Sequence, residues 1–158
     1  MWTHEEITDP AERREICAGI IDALPNWFGL PDSNASYIKG VTQEDCFVVR
    51  SPNGSNGGGV IGMVSLRTPF PNNADIYWLG VLPDYHHKGI GRVLLDACFA
   101  RARDKGCQTV TVETLGPSDP DEGYRRTRAF YTAMGFKPLI EHDHFGPENP
   151  LLYMVRAL

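Results

Sequence analysis

Residues 74–106 run as an apolar strand, a glycine turn and a long amphipathic helix, and the rest of the chain has to pack around that unit. Ile76 to Leu82 is rich in aromatic and branched side chains and is bounded by Asn72-Asn73 and Pro83-Asp84, the pattern of a strand covered on both faces. From Gly91 the period changes to helical. Leu94, Leu95, Cys98, Phe99 and Ala102 share one stripe, while Arg92, Asp96, Arg103 and Lys105 lie away from it. Gly106 supplies a left-handed stop.

The junction carries the chemistry. Gly89 and Gly91, just before the helix, let the backbone turn tightly and gather N–H groups that have no intrahelical acceptor. His86, His87, Lys88 and Arg92 surround that point with actual or potential positive charge, so a phosphate or pyrophosphate is the expected guest. The spacing is neither of two familiar nucleotide patterns. A dinucleotide-binding turn needs a glycine where Leu94 stands, and the Gly-Lys-Ser/Thr of a P-loop is absent.

The run Leu79-Gly80-Val81-Leu82-Pro83 followed by His86-His87-Lys88-Gly89-Ile90-Gly91 resembles the acetyl-CoA-binding segment of the GNAT N-acetyltransferase superfamily. His86 occupies the family's Gln/Arg position, which shifts the phosphate contact onto main-chain amides and Lys88. A second segment, Tyr124 to Phe136, resembles the later GNAT helix that carries a tyrosine and ends in Gly-Phe; here these are Tyr131 and Gly135-Phe136. Tyr124 stands where the family commonly has an asparagine against the pantetheine arm, so that contact is absent or replaced. The resemblance spans roughly residues 60–140. It implies that Leu79, Gly80, Val81, His86, His87, Lys88, Gly89, Ile90, Gly91 and Arg92 hold acetyl-CoA, with Tyr124 and Arg128 on the later helix. It also implies an α/β (α+β) fold: a mixed, mostly antiparallel sheet with helices on both faces, in the order ααβββαβαββ.

The remaining elements fit one domain over residues 1–158. Asp9-Pro10-Ala11-Glu12 starts a helix whose stripe is Ile16, Cys17, Ile20, Ile21 and Leu24, ended by Pro25. A short helix follows from about Ser33 to Lys39, capped by Asp32 or Ser33. Strands at Asp45–Arg50 and Val60–Arg67 make a hairpin whose loose tip, Ser51 to Gly59, is linker-like in composition. Thr68 to Asn73 leads into the organising strand. Later strands are expected at Gln108–Thr114, Phe136–Glu141 and Leu151–Arg156. In GNAT enzymes the first two helices and their loop wall the acceptor pocket, which makes Trp27, Phe28 and Tyr37 candidates for substrate contact as well as for core plugs.

Composition excludes several classes. A net charge of −5 disfavours a nucleic-acid partner and mildly favours a cationic amine. No apolar run approaches the roughly 20 residues that span a bilayer, and the acidic start Met-Trp-Thr-His-Glu-Glu is unlike a secretory signal, so the expected location is cytoplasmic. The four cysteines have no zinc-ligand spacing and read as small buried hydrophobes. His142 and His144 share a face but lack a third ligand in register, so no metal is expected. The sequence does not fix oligomeric state, a homodimer included.

Acyl transfer from acetyl-CoA to a primary amine makes three demands. A protonated amine must lose a proton before it attacks, and Asp75 is the first-named base because it matches the catalytic carboxylate of the histone-acetyltransferase branch; Glu113 is the alternative. The family supplies an oxyanion donor from a main-chain amide near Leu79 to Val81. The departing thiolate takes a proton from Tyr131. The reading from a different class is a non-catalytic CoA-binding sensor or interaction module on the same fold.

Overall fold

The computed structural model describes residues 1–52 and 58–158. The tip of the expected hairpin, 53–57, lies outside the described residues. The fold is mixed α/β, and the described residues form four α-helices and a seven-stranded, mostly antiparallel sheet in the order β1-β2-β3-β4-β5-β7-β6. Its elements are β1 (His4–Ile7), α1 (Pro10–Ala23), α2 (Pro31–Gly40), β2 (Asp45–Arg50), β3 (Val60–Phe70) and β4 (Asn73–Val81). They continue with α3 (Ile90–Asp104), β5 (Thr109–Leu115), α4 (Glu122–Ala133), β6 (Lys137–His142) and β7 (Leu151–Ala157).

The expected order is correct from α1 onward and omits β1. That strand has one apolar residue to announce it, Ile7, and it is held by its ladder and by ion pairs. Glu5 meets Arg50, and Glu6 meets Arg101 at 2.7 Å. A short charged strand at a sheet edge also resists pairing with another chain. Two boundaries differ as well. The second helix starts at Pro31 with Leu30 as a cap that makes no side-chain bond, so neither Asp32 nor Ser33 caps it. Most of the expected loop at 68–73 continues β3, and the turn before β4 is confined to Pro71 and Asn72.

Two compact units divide the residues. The first comprises Met1–Arg67 and Ile76–Arg101. Asp9 caps α1 by accepting from the Glu12 amide, as the sequence indicates. The helix buries Cys17, Ile20 and Ile21 in a core shared with Val48, Met63 and Trp78. Such side chains each contribute about 1.5–3 kcal/mol when taken from water into a packed interior. On α3 the predicted stripe is buried, with Leu94, Leu95 and Cys98 fully inaccessible. Gly62 on β3 is where that helix comes close: a Cβ there would sit 2.9 Å from Ile90 Cγ2 and 3.2 Å from Leu94 Cδ1.

The second unit comprises Thr68–Asp75 and Ala102–Leu158. Strand β5 alternates buried and open residues and pairs antiparallel with β7 from Thr109↔Ala157 to Leu115↔Leu151. Strand β6 pairs with the other side of β7. Helix α4 is capped by Asp121, which accepts from the Tyr124 amide, and ends before Gly135, whose φ of +91° is the left-handed conformation expected of it.

Candidate active site

In the first unit, β4 ends at Val81 and a single 3₁₀ turn over Pro83–Tyr85 carries the chain to the glycine turn. Gly89 has φ +85°, and a Cβ there would meet open space, so the requirement for glycine is conformational. The first bond of α3 runs from the Val93 amide to the Gly89 carbonyl, leaving the amides of Ile90, Gly91 and Arg92 ahead of the helix's internal ladder. Lys88 and Arg92 are exposed beside them. This cradle fits the pyrophosphate of acetyl-CoA, with main-chain donors and two cations.

The side chains around the turn divide the work. His86 is half-buried: its Nε2 lies 2.7 Å from the Val81 carbonyl and its ring meets Trp27 edge-on at 5.5 Å. Its imidazole therefore ties the turn to the end of β4. His87 is exposed and carries φ +61°, an unusual conformation for a residue with a Cβ. Trp2 braces this strained stretch. Its indole Nε1 donates to the Lys88 carbonyl at 2.8 Å, and its ring meets Tyr85 edge-on at 6.2 Å. The Lys88 ammonium in turn sits 5.4 Å from the centre of the Tyr85 ring.

On β4, Leu79 and Val81 are half-buried and Gly80 is buried. Gly80 is glycine for want of room: a Cβ would lie 2.7 Å from the Trp78 ring and 2.8 Å from Ile20. Trp27, Phe28 and Tyr37 are partly buried against the core. They form an aromatic run, with Phe28 5.5 Å from Trp78 and 6.1 Å from Tyr37, and Tyr37 5.9 Å from Tyr77.

In the second unit, Asp75 is buried and accepts the Thr111 hydroxyl at 2.7 Å. Thr111 accepts in turn from the Asn73 side-chain amide at 3.1 Å, which aims its hydroxyl proton at Asp75. Glu113 is exposed on β5, with Oε2 3.4 Å from His142 Nε2. Tyr131 is buried on α4, its ring 5.4 Å from Phe130 and 5.6 Å from Phe136. Tyr124 is half-buried, and Arg128 donates to the Leu115 carbonyl at 2.7 Å.

Trp2, Tyr85, Thr111 and Tyr153 are additions that the sequence did not disclose. Trp2 is 86 residues from its partner, and no local pattern reports such a contact. Thr111 had a signal, the Thr-Val-Thr alternation of β5, which placed a row of hydroxyls without naming their partner. Among the described residues no group of three or more His, Cys, Asp or Glu is placed to hold a metal, and no helix is long and apolar enough to cross a membrane.

The strand thus ends in a glycine turn at the start of a helix. The chain belongs to the acetyltransferase (GNAT) family, whose model matches residues 11–136. It is similar to mycothiol acetyltransferase of Beutenbergia cavernae, 30% identical over 89 residues, which is 56% of this chain and 28% of that protein. The chain thus spans little more than a quarter of that relative's length. Among solved structures it resembles the IAA acetyltransferase of Bacillus cereus, with a TM-score of 0.73, 19% identity and complete coverage of both chains. It also resembles a GNAT family acetyltransferase of Elizabethkingia anophelis with acetyl-CoA bound, with a TM-score of 0.65, 15% identity and coverage of 87% of this chain and 89% of that one. At such identities the structural likeness speaks for the fold.

Proposed function

We propose that this acyltransferase moves the acetyl group of acetyl-CoA to a primary amine by direct attack. The observation that carries the reading is the turn at Gly89, where unpaired amides, Lys88 and Arg92 converge ahead of α3. Acetyl-CoA supplies the thioester carbonyl; the chain binds it, accepts one proton and donates another. The first proton passes from the amine, directly or through water, to Asp75, with Glu113 as the alternative acceptor. A main-chain amide near Leu79 to Val81 faces the oxyanion, and Tyr131 gives its proton to the leaving thiolate. An ordinary phenol near 10 is well matched to a thiolate near 8.5. All four cysteines are free and buried, which suits the reducing cytoplasm, and we propose that location for one catalytic domain.

A specific observation favours the second reading, a non-catalytic CoA-binding module. His86 is engaged by Val81 and Trp27, and Tyr124 replaces the family's asparagine, so two usual cofactor contacts are altered. Both readings require a melting temperature that rises with acetyl-CoA concentration, since a ligand bound only by the folded state must stabilise it. Thiol release on a panel of polyamines, amino acids, amino sugars, antibiotics and peptide amines then decides. Robust acetyl transfer removes the module; binding without turnover on every amine removes the enzyme mechanism. Absence of any thermal shift at saturating acetyl-CoA would sink both.

A further inference from the structure

The second unit contains a cavity of about 450 Å³ lined by Glu113, Ile140, His142, His144, Phe145 and Tyr153. That volume suits a small organic molecule. Four of the six lining residues are rings, and they are organised around one of their number. His142 stacks on Tyr153 at 5.6 Å with 26° between planes, lies 4.4 Å from His144 and stands 6.3 Å from Phe145. The walls are not buried core. Phe145 is 68% exposed and Ile140 58% exposed, so large apolar side chains are held open at the surface.

Charge decides what such a cavity prefers. Its lining contains no Lys or Arg, and Glu113, whose Oε2 lies 3.4 Å from His142 Nε2 at the same wall, supplies its carboxylate. The segment leading from β6 to β7, residues 143–150, adds Asp143 and Glu148 and also contains no Lys or Arg. Aromatic faces are electron-rich and attract cations whose hydration is loose, above all alkylated ammonium groups, while a compact ammonium keeps its water. A carboxylate beside such rings provides the counter-charge.

We propose that this cavity binds a substituted-ammonium cation, with Glu113 as its counter-ion and the rings of His142, His144, Phe145 and Tyr153 as its walls. Where the acetyltransferase reading holds, on which this clause rests, Glu113 serves recognition of the cation and proton transfer falls to Asp75.

The test uses the full chain without acetyl-CoA, so that its outcome is separate from turnover. Choline is the cationic probe and 3,3-dimethylbutan-1-ol its neutral isostere. Both are titrated by calorimetry at pH 8, where an ordinary imidazole is neutral. Choline should bind at least about fivefold tighter than the alcohol. Glu113→Gln should weaken choline by a similar factor and leave the alcohol unchanged, whereas Phe145→Ala, at an exposed position, should weaken both. In proton NMR, choline should move the C2 proton resonances of His142 and His144 and leave those of His4, His86 and His87 in place. Equal binding of the two probes, no saturable choline binding, or a Glu113→Gln protein with wild-type choline affinity would each overturn the proposal. Failure of choline alongside intact amine acetylation refutes this site alone; choline binding without any acetylation refutes the transferase reading alone.

Discussion

The indole of Trp2 is the brace whose removal tests most sharply how the glycine turn before α3 is held. Its bond to the Lys88 carbonyl, at 2.8 Å, anchors a stretch in which His87 adopts φ +61°. A left-handed conformation costs a residue with a Cβ about 1–2 kcal/mol, so the turn does not hold itself. A neutral hydrogen bond contributes about 0.5–1.5 kcal/mol net, which is about 2- to 13-fold in an equilibrium constant. Trp2→Phe keeps a ring for Tyr85 and deletes the donor. If the bond keeps the turn in its binding-competent form, its loss reduces the competent fraction and raises the apparent Kd by the same factor. We expect calorimetry to show CoA binding weakened about fivefold, within that range, with kcat at saturating acetyl-CoA within about twofold of wild type. Lys88→Ala provides the contrast, because it removes the cation and keeps the carbonyl. Its effect should shrink with added salt and should add to that of Trp2→Phe in the double variant. A Trp2→Phe protein with wild-type CoA affinity would refute the bracing argument.

Three further perturbations address the chemistry and the core. Tyr131→Phe should lower turnover by about 100- to 10,000-fold while CoA binding, followed by thermal shift, persists; wild-type turnover would remove the proposed acid. Thr111→Val deletes the hydroxyl donated to Asp75, which destabilises the carboxylate, so the acid limb of the kcat/KM profile should move to higher pH. An unmoved limb would separate Asp75 from proton transfer. Burial pushes the Cys17 thiol up to about 12 and the Cys46 thiol up to about 11, from an ordinary 9.0. The folded state therefore holds these protons more tightly than the unfolded state, and the stability they contribute is full below pH 9 and lost as pH rises through 11 and 12. Urea melts from pH 8 upward should show that decline, and Cys17→Ala should flatten it.

The elements that were legible in the sequence are those whose cause is local. Asp9, Gly106 and Gly135 announce helix ends through side-chain and left-handed geometry, and each does that in the structure. The stripe of α3 is legible because its period is helical and its residues bury together. Strand β1 was illegible because its stability lies in partners 45 and 95 residues away, Arg50 and Arg101, and not in its own pattern. The same holds for the site. The glycine turn could be read because backbone conformation selects its residues, whereas the Trp2 brace and the Asn73–Thr111–Asp75 chain depend on strand register that no local spacing encodes.

The departure from the common family pattern at His86 has a structural role: its ring joins Val81, at the end of β4, to Trp27, in the loop after α1. A change at Trp27 therefore reaches the glycine turn through one imidazole, within a single compact unit. Restoring the family residue with His86→Gln would return a flexible amide and remove the ring contact with Trp27. The turn would then keep its Trp2 bond and the Lys88–Tyr85 contact. At Tyr124 the main-chain amide donates to the Asp121 cap, a bond that any residue but proline can make. His86 thus serves as a support between the end of β4 and the loop after α1, and the proposed pyrophosphate site would rest on main-chain amides.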